Sequence, residues 1–110
     1  AALANPRRPD LASTGRGRRI FDIYCIACHG PLGEADGPVV GPERFPAPTS
    51  LHDKALVVYP DGRIYHVISV GKGKMQGYAD KVEPQARWDV VNYVRVLQRA
   101  LAPKAEDFER

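Results

Sequence analysis

Between residues 84 and 103 the apolar positions fall on one helical stripe. Val90, Val94, Leu97 and Leu101 follow one another at steps of four, three and four, with Trp88, Val91 and Tyr93 beside them. That spacing outweighs the strand propensity of the valines and predicts an amphipathic helix. Pro84 suits its first position and Pro103 ends it. Near the start, Ile20, Phe21, Tyr24, Cys25 and Cys28 recur at helical spacing, which predicts one helix ending near Cys28, stopped by Gly30, Pro31 and Gly33. Ser13 or Thr14 is its expected cap. A short helical turn is expected over residues 51–58 with Ser50 as cap, and a helix over 62–70 capped by Asp61 and ended by Gly71. No segment shows convincing strand alternation.

Two stretches carry no period. Residues 30–50 are dense in Gly and Pro, and residues 71–77 form a second irregular loop around Met75. An irregular segment as long as the first is usually functional or wrapped around something. Pro6 and Pro9 keep residues 1–12 out of a regular helix. The expected organisation is an extended arm over residues 1–12, a folded domain over 13–103 and a polar tail over 104–110.

Composition narrows this further. The chain has 110 residues, 44% of them hydrophobic, with ten Gly and ten Pro. A chain this small and loop-rich generally needs a disulfide, a metal or a cofactor to hold it. No apolar run approaches the roughly 18 residues of a membrane span. The net charge of +3 is too small to point to nucleic acid. The charge is uneven, with Arg7, Arg8, Arg16, Arg18 and Arg19 near the start, so the arm reads as a solvated basic segment or as a docking patch for an acidic partner. The start, Ala1-Ala2-Leu3-Ala4, has neither Met nor a leader and reads as a chain whose targeting segment has been removed.

The chemistry sits in Cys25-Ile26-Ala27-Cys28-His29. This is the C-x-x-C-H attachment pattern for c-type haem: two thiols one helical turn apart can add to two vinyl groups of one porphyrin edge, and the adjacent histidine reaches the iron. The rivals fit less well. Zinc wants four ligands, and His52 and His66 are too far apart for the usual spacing. A reactive dithiol belongs at a helix N-terminus, and this pair falls at a helix end. Met75, the sole methionine, is the leading sixth ligand, with His66 and then His52 as competitors. Met/His ligation raises the reduction potential, and a six-coordinate iron suits electron transfer better than substrate binding. The carbonyl of Pro38 or Pro42 is expected to accept the His29 Nδ1 proton, although both prolines also make sense as turn residues. Tyr78 and Trp88 are expected in the haem pocket, Trp88 packing against haem or core. Lys72 and Lys74 flank the Met75 loop, where a basic rim would steer acidic redox partners.

The pattern resembles class I cytochrome c. Gly17 and Phe21 precede Cys25 by eight and four residues, as in that family's first helix. The resemblance implies a small all-α fold, three main helices and long loops around one covalent haem, with Tyr93 packing where the last helix crosses Gly17. A narrower likeness runs over residues 17–98, through Asp36-Gly37-Pro38, Asp61-Gly62-Arg63-Ile64-Tyr65, Met75-Gln76-Gly77-Tyr78 and Arg87-Trp88-Asp89-Val90-Val91-Asn92-Tyr93. It resembles the monohaem cytochrome c subunit of bacterial alternative complex III, a quinol-oxidising membrane complex. That family's lipidated N-terminal cysteine has no counterpart before Cys25. The implied function is electron transfer between redox proteins of a respiratory chain, in the periplasm or at the outer face of the inner membrane, and not catalysis by the chain itself. The alternatives are a cytochrome module of a haem–copper oxidase, an open-site sensor or peroxidase-like protein, and an interaction module with incidental thiols.

Overall fold

The computed structural model describes residues 4–104. Five helices and one two-residue hairpin make up its regular structure: α1 (Leu11–Tyr24), α2 (Ile26–His29), α3 (Lys54–Val57), α4 (Asp61–Val70), β1 (Gly71–Lys72), β2 (Met75–Gln76) and α5 (Pro84–Leu101). The fold is a small all-α domain with long loops. α1 lies against α5, and α4 packs on α5 from another side.

Several element ends differ from expectation, each for a local reason. The cap of α1 is Asp10, whose carboxylate accepts from Ser13 N at 2.9 Å. Helix therefore begins inside the stretch expected to be arm. Ser13 itself turns inward. The helix expected to run to Cys28 is interrupted at Cys25, and α2 carries on to His29. Asp53, not Ser50, caps α3, accepting from Ala55 N at 2.9 Å. Ser50 Oγ instead accepts from His52 N at 3.2 Å. Asp61 is the first residue of α4 rather than its cap, because its carboxylate is taken by Arg95 at 2.9 Å. The loop around Met75 holds a strand pair, with Gly71 opposite Gln76 and Lys72 opposite Met75. Pro84 does open α5, but Leu101, expected on the buried stripe, is 49% exposed because it ends the helix beyond the core.

The core is one cluster of Phe21, Leu51, Ile64, Ile68, Trp88, Val90, Val91, Val94 and Leu97. Phe21 meets Tyr93 edge-on at 5.4 Å, beside the place where α5 crosses Gly17. Loop 30–53 wraps the end of α2: Gly37 N donates to the Cys28 carbonyl at 3.0 Å, Val39 N to that of Ala27 at 3.1 Å, and Ala35 N to that of His29 at 2.9 Å.

The basic segment before α1 is pinned to the domain over its described residues. Asn5 Nδ2 donates to Asn92 Oδ1 at 2.8 Å and to Asp61 Oδ2 at 3.2 Å. Arg7 lies 3.7 Å from Asp89, a carboxylate only 1% exposed that also accepts from Ser13 Oγ and Arg16 Nε. The expected tail falls outside the described residues except for Lys104. Asp89→Ala is expected to cost about 1–3 kcal/mol, because it takes the acceptor from the buried Ser13 hydroxyl proton, leaving that oxygen only its bond from Asn92, and removes the Arg16 bond. Arg7→Ala should cost under about 1 kcal/mol, since its pair is long and partly solvated. Denaturant unfolding of the two variants checks the order, and equal losses would contradict this account.

Candidate haem site

Side chains from all five helices, β2 and the joining segments wall one cavity of about 100 Å³. Phe21 comes from α1, Cys25 from the turn after it and His29 from α2. Leu51, Leu56 and Tyr59 come from the loop around α3. Ile64, Val67 and Ile68 form one face of α4, Met75 comes from β2, and Val90 and Val94 come from α5. The walls are almost wholly apolar side chains. Their sulfur and nitrogen donors come from residues 25, 29 and 75, which the fold brings together from distant parts of the chain.

His29 is the most telling residue. Its Nδ1 is buried and has no hydrogen-bond partner. An unsatisfied buried ring nitrogen costs about 1–3 kcal/mol, and such exceptions call for a functional account. Burial also lowers the His29 pKa, which keeps the imidazole neutral and able to bind a metal. Burial, with a smaller contribution from Cys28, pushes the Cys25 thiol up to about 12. Both cysteines are free. A thiol so firmly protonated is the opposite of the low-pKa cysteine that a reactive dithiol needs. Among the described residues no group of three or more His, Cys, Asp or Glu could hold a zinc ion.

The expected pocket residues divide. Cys25, His29 and Met75 line the cavity, and Cys28 lies one residue before His29 on α2. Pro38 and Pro42 are exposed and do not line it. The Pro38 carbonyl accepts from Arg44 Nη1 at 3.2 Å, so neither proline holds His29 here. Tyr78 packs on Tyr24 at 5.4 Å between ring centres and donates to the Tyr24 carbonyl at 3.4 Å, outside the cavity wall. Trp88 is in the core, stacked on Tyr65 at 4.1 Å. Of the competing ligands, His66 is exposed on α4, and the His52 ring is bound to the Leu32 carbonyl at 2.6 Å.

Sequence reading missed most of the wall. The 64-67-68 spacing on α4 is a signal that finds three of its residues. Tyr59 carries no such signal. Its ring lies under Arg63 at 4.4 Å, and its hydroxyl accepts from Lys72 Nζ at 3.2 Å. That bond to Lys72 pulls the phenol pKa down.

The residues present fit a covalent haem by their donor set. Two free thiols sit next to a histidine that lines the same apolar cavity as a thioether. Cys25 and Cys28 would hold the porphyrin, and His29 would hold the iron. The cavity is smaller than the about 300–1,000 Å³ of typical ligand pockets, so the fit rests on the donors rather than on volume.

Comparisons with known proteins identify the family and the fold. Residues 12–94 match the family described as cytochrome c oxidase, cbb3-type, subunit III. No curated protein matches the chain. A chain of a reducing HAO-like protein complex from Kuenenia stuttgartiensis is similar in fold, with a TM-score of 0.73 at 23% identity over 88% of this chain. The present chain spans 50% of that one's length. The chain therefore belongs to the family of cbb3-type cytochrome c oxidase subunit III, and is a cytochrome c domain for electron transfer by a covalently bound c-type haem.

Proposed function

We propose that the chain carries one haem, held by His29 and Met75 as axial ligands, and passes single electrons between partner proteins of a bacterial respiratory chain. The observation that carries this reading is the placement of His29 and Met75 on the walls of one apolar cavity, although 46 residues separate them in sequence. When bound, a c-type haem supplies one-electron chemistry between the ferric and ferrous states. The chain's own residues then do three things. The neutral imidazole of His29 and the soft thioether of Met75 together favour a higher potential than two imidazoles would. Leu51, Ile64, Ile68, Val90 and Val94 keep water from the iron. Arg63 and Lys72 beside Tyr59, with Lys74 on the hairpin turn, favour an acidic partner whose association weakens with salt.

The test is the absorption spectrum of pure protein, oxidised and reduced, with carbon monoxide added. The wild-type ferric protein is expected to show the weak near-red band of Met-ligated haem, and its ferrous form to leave carbon monoxide unbound. Met75→Ala should abolish that band, admit carbon monoxide and lower the midpoint by more than about 59 mV, a tenfold change in the ferric/ferrous ratio. An unchanged spectrum and potential in the variant would remove Met75 from the iron and bring the open-site readings forward.

The motifs shared with the alternative complex III subunit support a place in a quinol-oxidising complex, at the periplasmic or outer membrane face. The family match favours a second reading, a cytochrome module serving a haem–copper oxidase. Among the described residues no helix is long and apolar enough to cross a membrane. Tagged protein isolated from its native membranes separates the two readings. Quinol-oxidising activity that travels with it supports the first, and oxygen-reducing activity supports the second.

A further inference from the structure

We infer that Tyr59 and Lys72 form a clasp that keeps Met75 at the cavity, which makes Tyr59 a positioning residue for the axial ligand. The inference rests on the reading of Met75 as a ligand. β1 and β2 pair over two residues each, and the turn between them carries Gly73 at a φ of +57°. So short a hairpin is marginal by itself and needs outside support. Tyr78, just after β2, ties the far side to α1. On the near side, the Lys72 ammonium reaches the Tyr59 hydroxyl at 3.2 Å, and Lys72 is the register partner of Met75.

Tyr59 is a firm post for such a tie. It lines the same cavity as Met75. The Arg63 guanidinium covers the ring at 4.4 Å. Arg95 of α5 donates to the Tyr59 carbonyl and, at 3.1 Å, to that of Val57, while its Nε is fixed by Asp61 at 2.9 Å. The loop before α4 is thus anchored to α5, and Lys72 of the hairpin meets that loop at the Tyr59 hydroxyl and, at 5.8 Å, over its ring. If the clasp opens, the Met75 strand loses its near-side support and the thioether leaves the iron more often.

The experiment is the rate at which imidazole replaces Met75 on the ferric, haem-loaded protein, followed by loss of the near-red band. An outside ligand binds only after the thioether has left. Tyr59→Phe removes the hydroxyl and keeps the ring. It is expected to raise the rate about two- to tenfold, the effect of losing one hydrogen bond. Lys72→Met should raise it at least as much, because it also removes the ammonium 5.8 Å over the Tyr59 ring, and the double variant should be no faster than Lys72→Met, because both contain the loss of the same bond. Lys74→Met, on the same turn, should leave the rate alone. An unchanged rate in Tyr59→Phe, or effects of the two changes that multiply, would overturn the clasp. If Tyr59→Phe does not fold, Lys72→Met alone decides, since it alters only an exposed contact. Absence of the near-red band from wild-type protein overturns both the ligation reading and the clasp, whereas a normal band with an unchanged rate overturns the clasp alone.

Discussion

Chain made without haem, by Cys25→Ala and Cys28→Ala together, is expected to lose its sharp thermal transition. The cavity and the core are the same place: Phe21, Leu51, Ile64, Ile68, Val90 and Val94 belong both to the buried cluster and to the cavity wall. An unfilled apolar cavity of about 100 Å³ costs about 2–3 kcal/mol at about 24 cal/mol per Å³. Small domains hold only about 5–15 kcal/mol in all, and this one spends residues 30–53 on irregular loop. Two thioether bonds from Cys25 and Cys28 would hold haem to the start and end of α2, and the substituted chain lacks them. Melts followed by far-ultraviolet circular dichroism, haem-loaded against haem-free, check this. A haem-free chain that melts cooperatively at the holoprotein's midpoint would show that the protein core stands without its cofactor.

The same overlap of core and cavity explains what the sequence showed and what it hid. Cys25, Cys28 and His29 were legible because attachment chemistry fixes their spacing along the chain. The last helix was legible because its stripe runs over many residues between two prolines, and the start of α1 was not, because Asp10 and Ser13 both suit a cap and only the fold decides which turns inward. Met75 could be singled out as the only methionine, yet its short strand gives no alternation to read in two residues. Which carbonyl faces His29 was not legible, because it depends on how loop 30–53 folds: here Pro38 and Pro42 are exposed and the Pro38 carbonyl accepts from Arg44, six residues on. Tyr59 was invisible for a related reason: its role depends on Lys72 and Arg95, 13 and 36 residues away.

Gly17→Ala is expected to destabilise the domain strongly. A Cβ built on Gly17 falls 2.0 Å from the Asp89 carbonyl oxygen, 2.6 Å from its carbon and 3.0 Å from Tyr93 Cβ. These are mainly backbone atoms in the middle of α5, so no side-chain rotation relieves them. α1 and α5 must separate, and the separation loosens the Phe21–Tyr93 contact and the Asp89–Ser13 bond together. Alanine's better helix propensity returns about 1 kcal/mol. Overpacking against rigid backbone costs about 3 kcal/mol or more, so the net loss is a large share of the domain's stability. Gly15→Ala is the internal control, because its Cβ would meet only Arg19 Nη1 at 4.0 Å. That change should be neutral or stabilising by up to about 1 kcal/mol. Guanidinium unfolding of both variants, with haem content measured alongside, separates the two positions. Equal stability would mean that the α1–α5 crossing is looser than drawn, and that the glycine is there for some reason other than close approach.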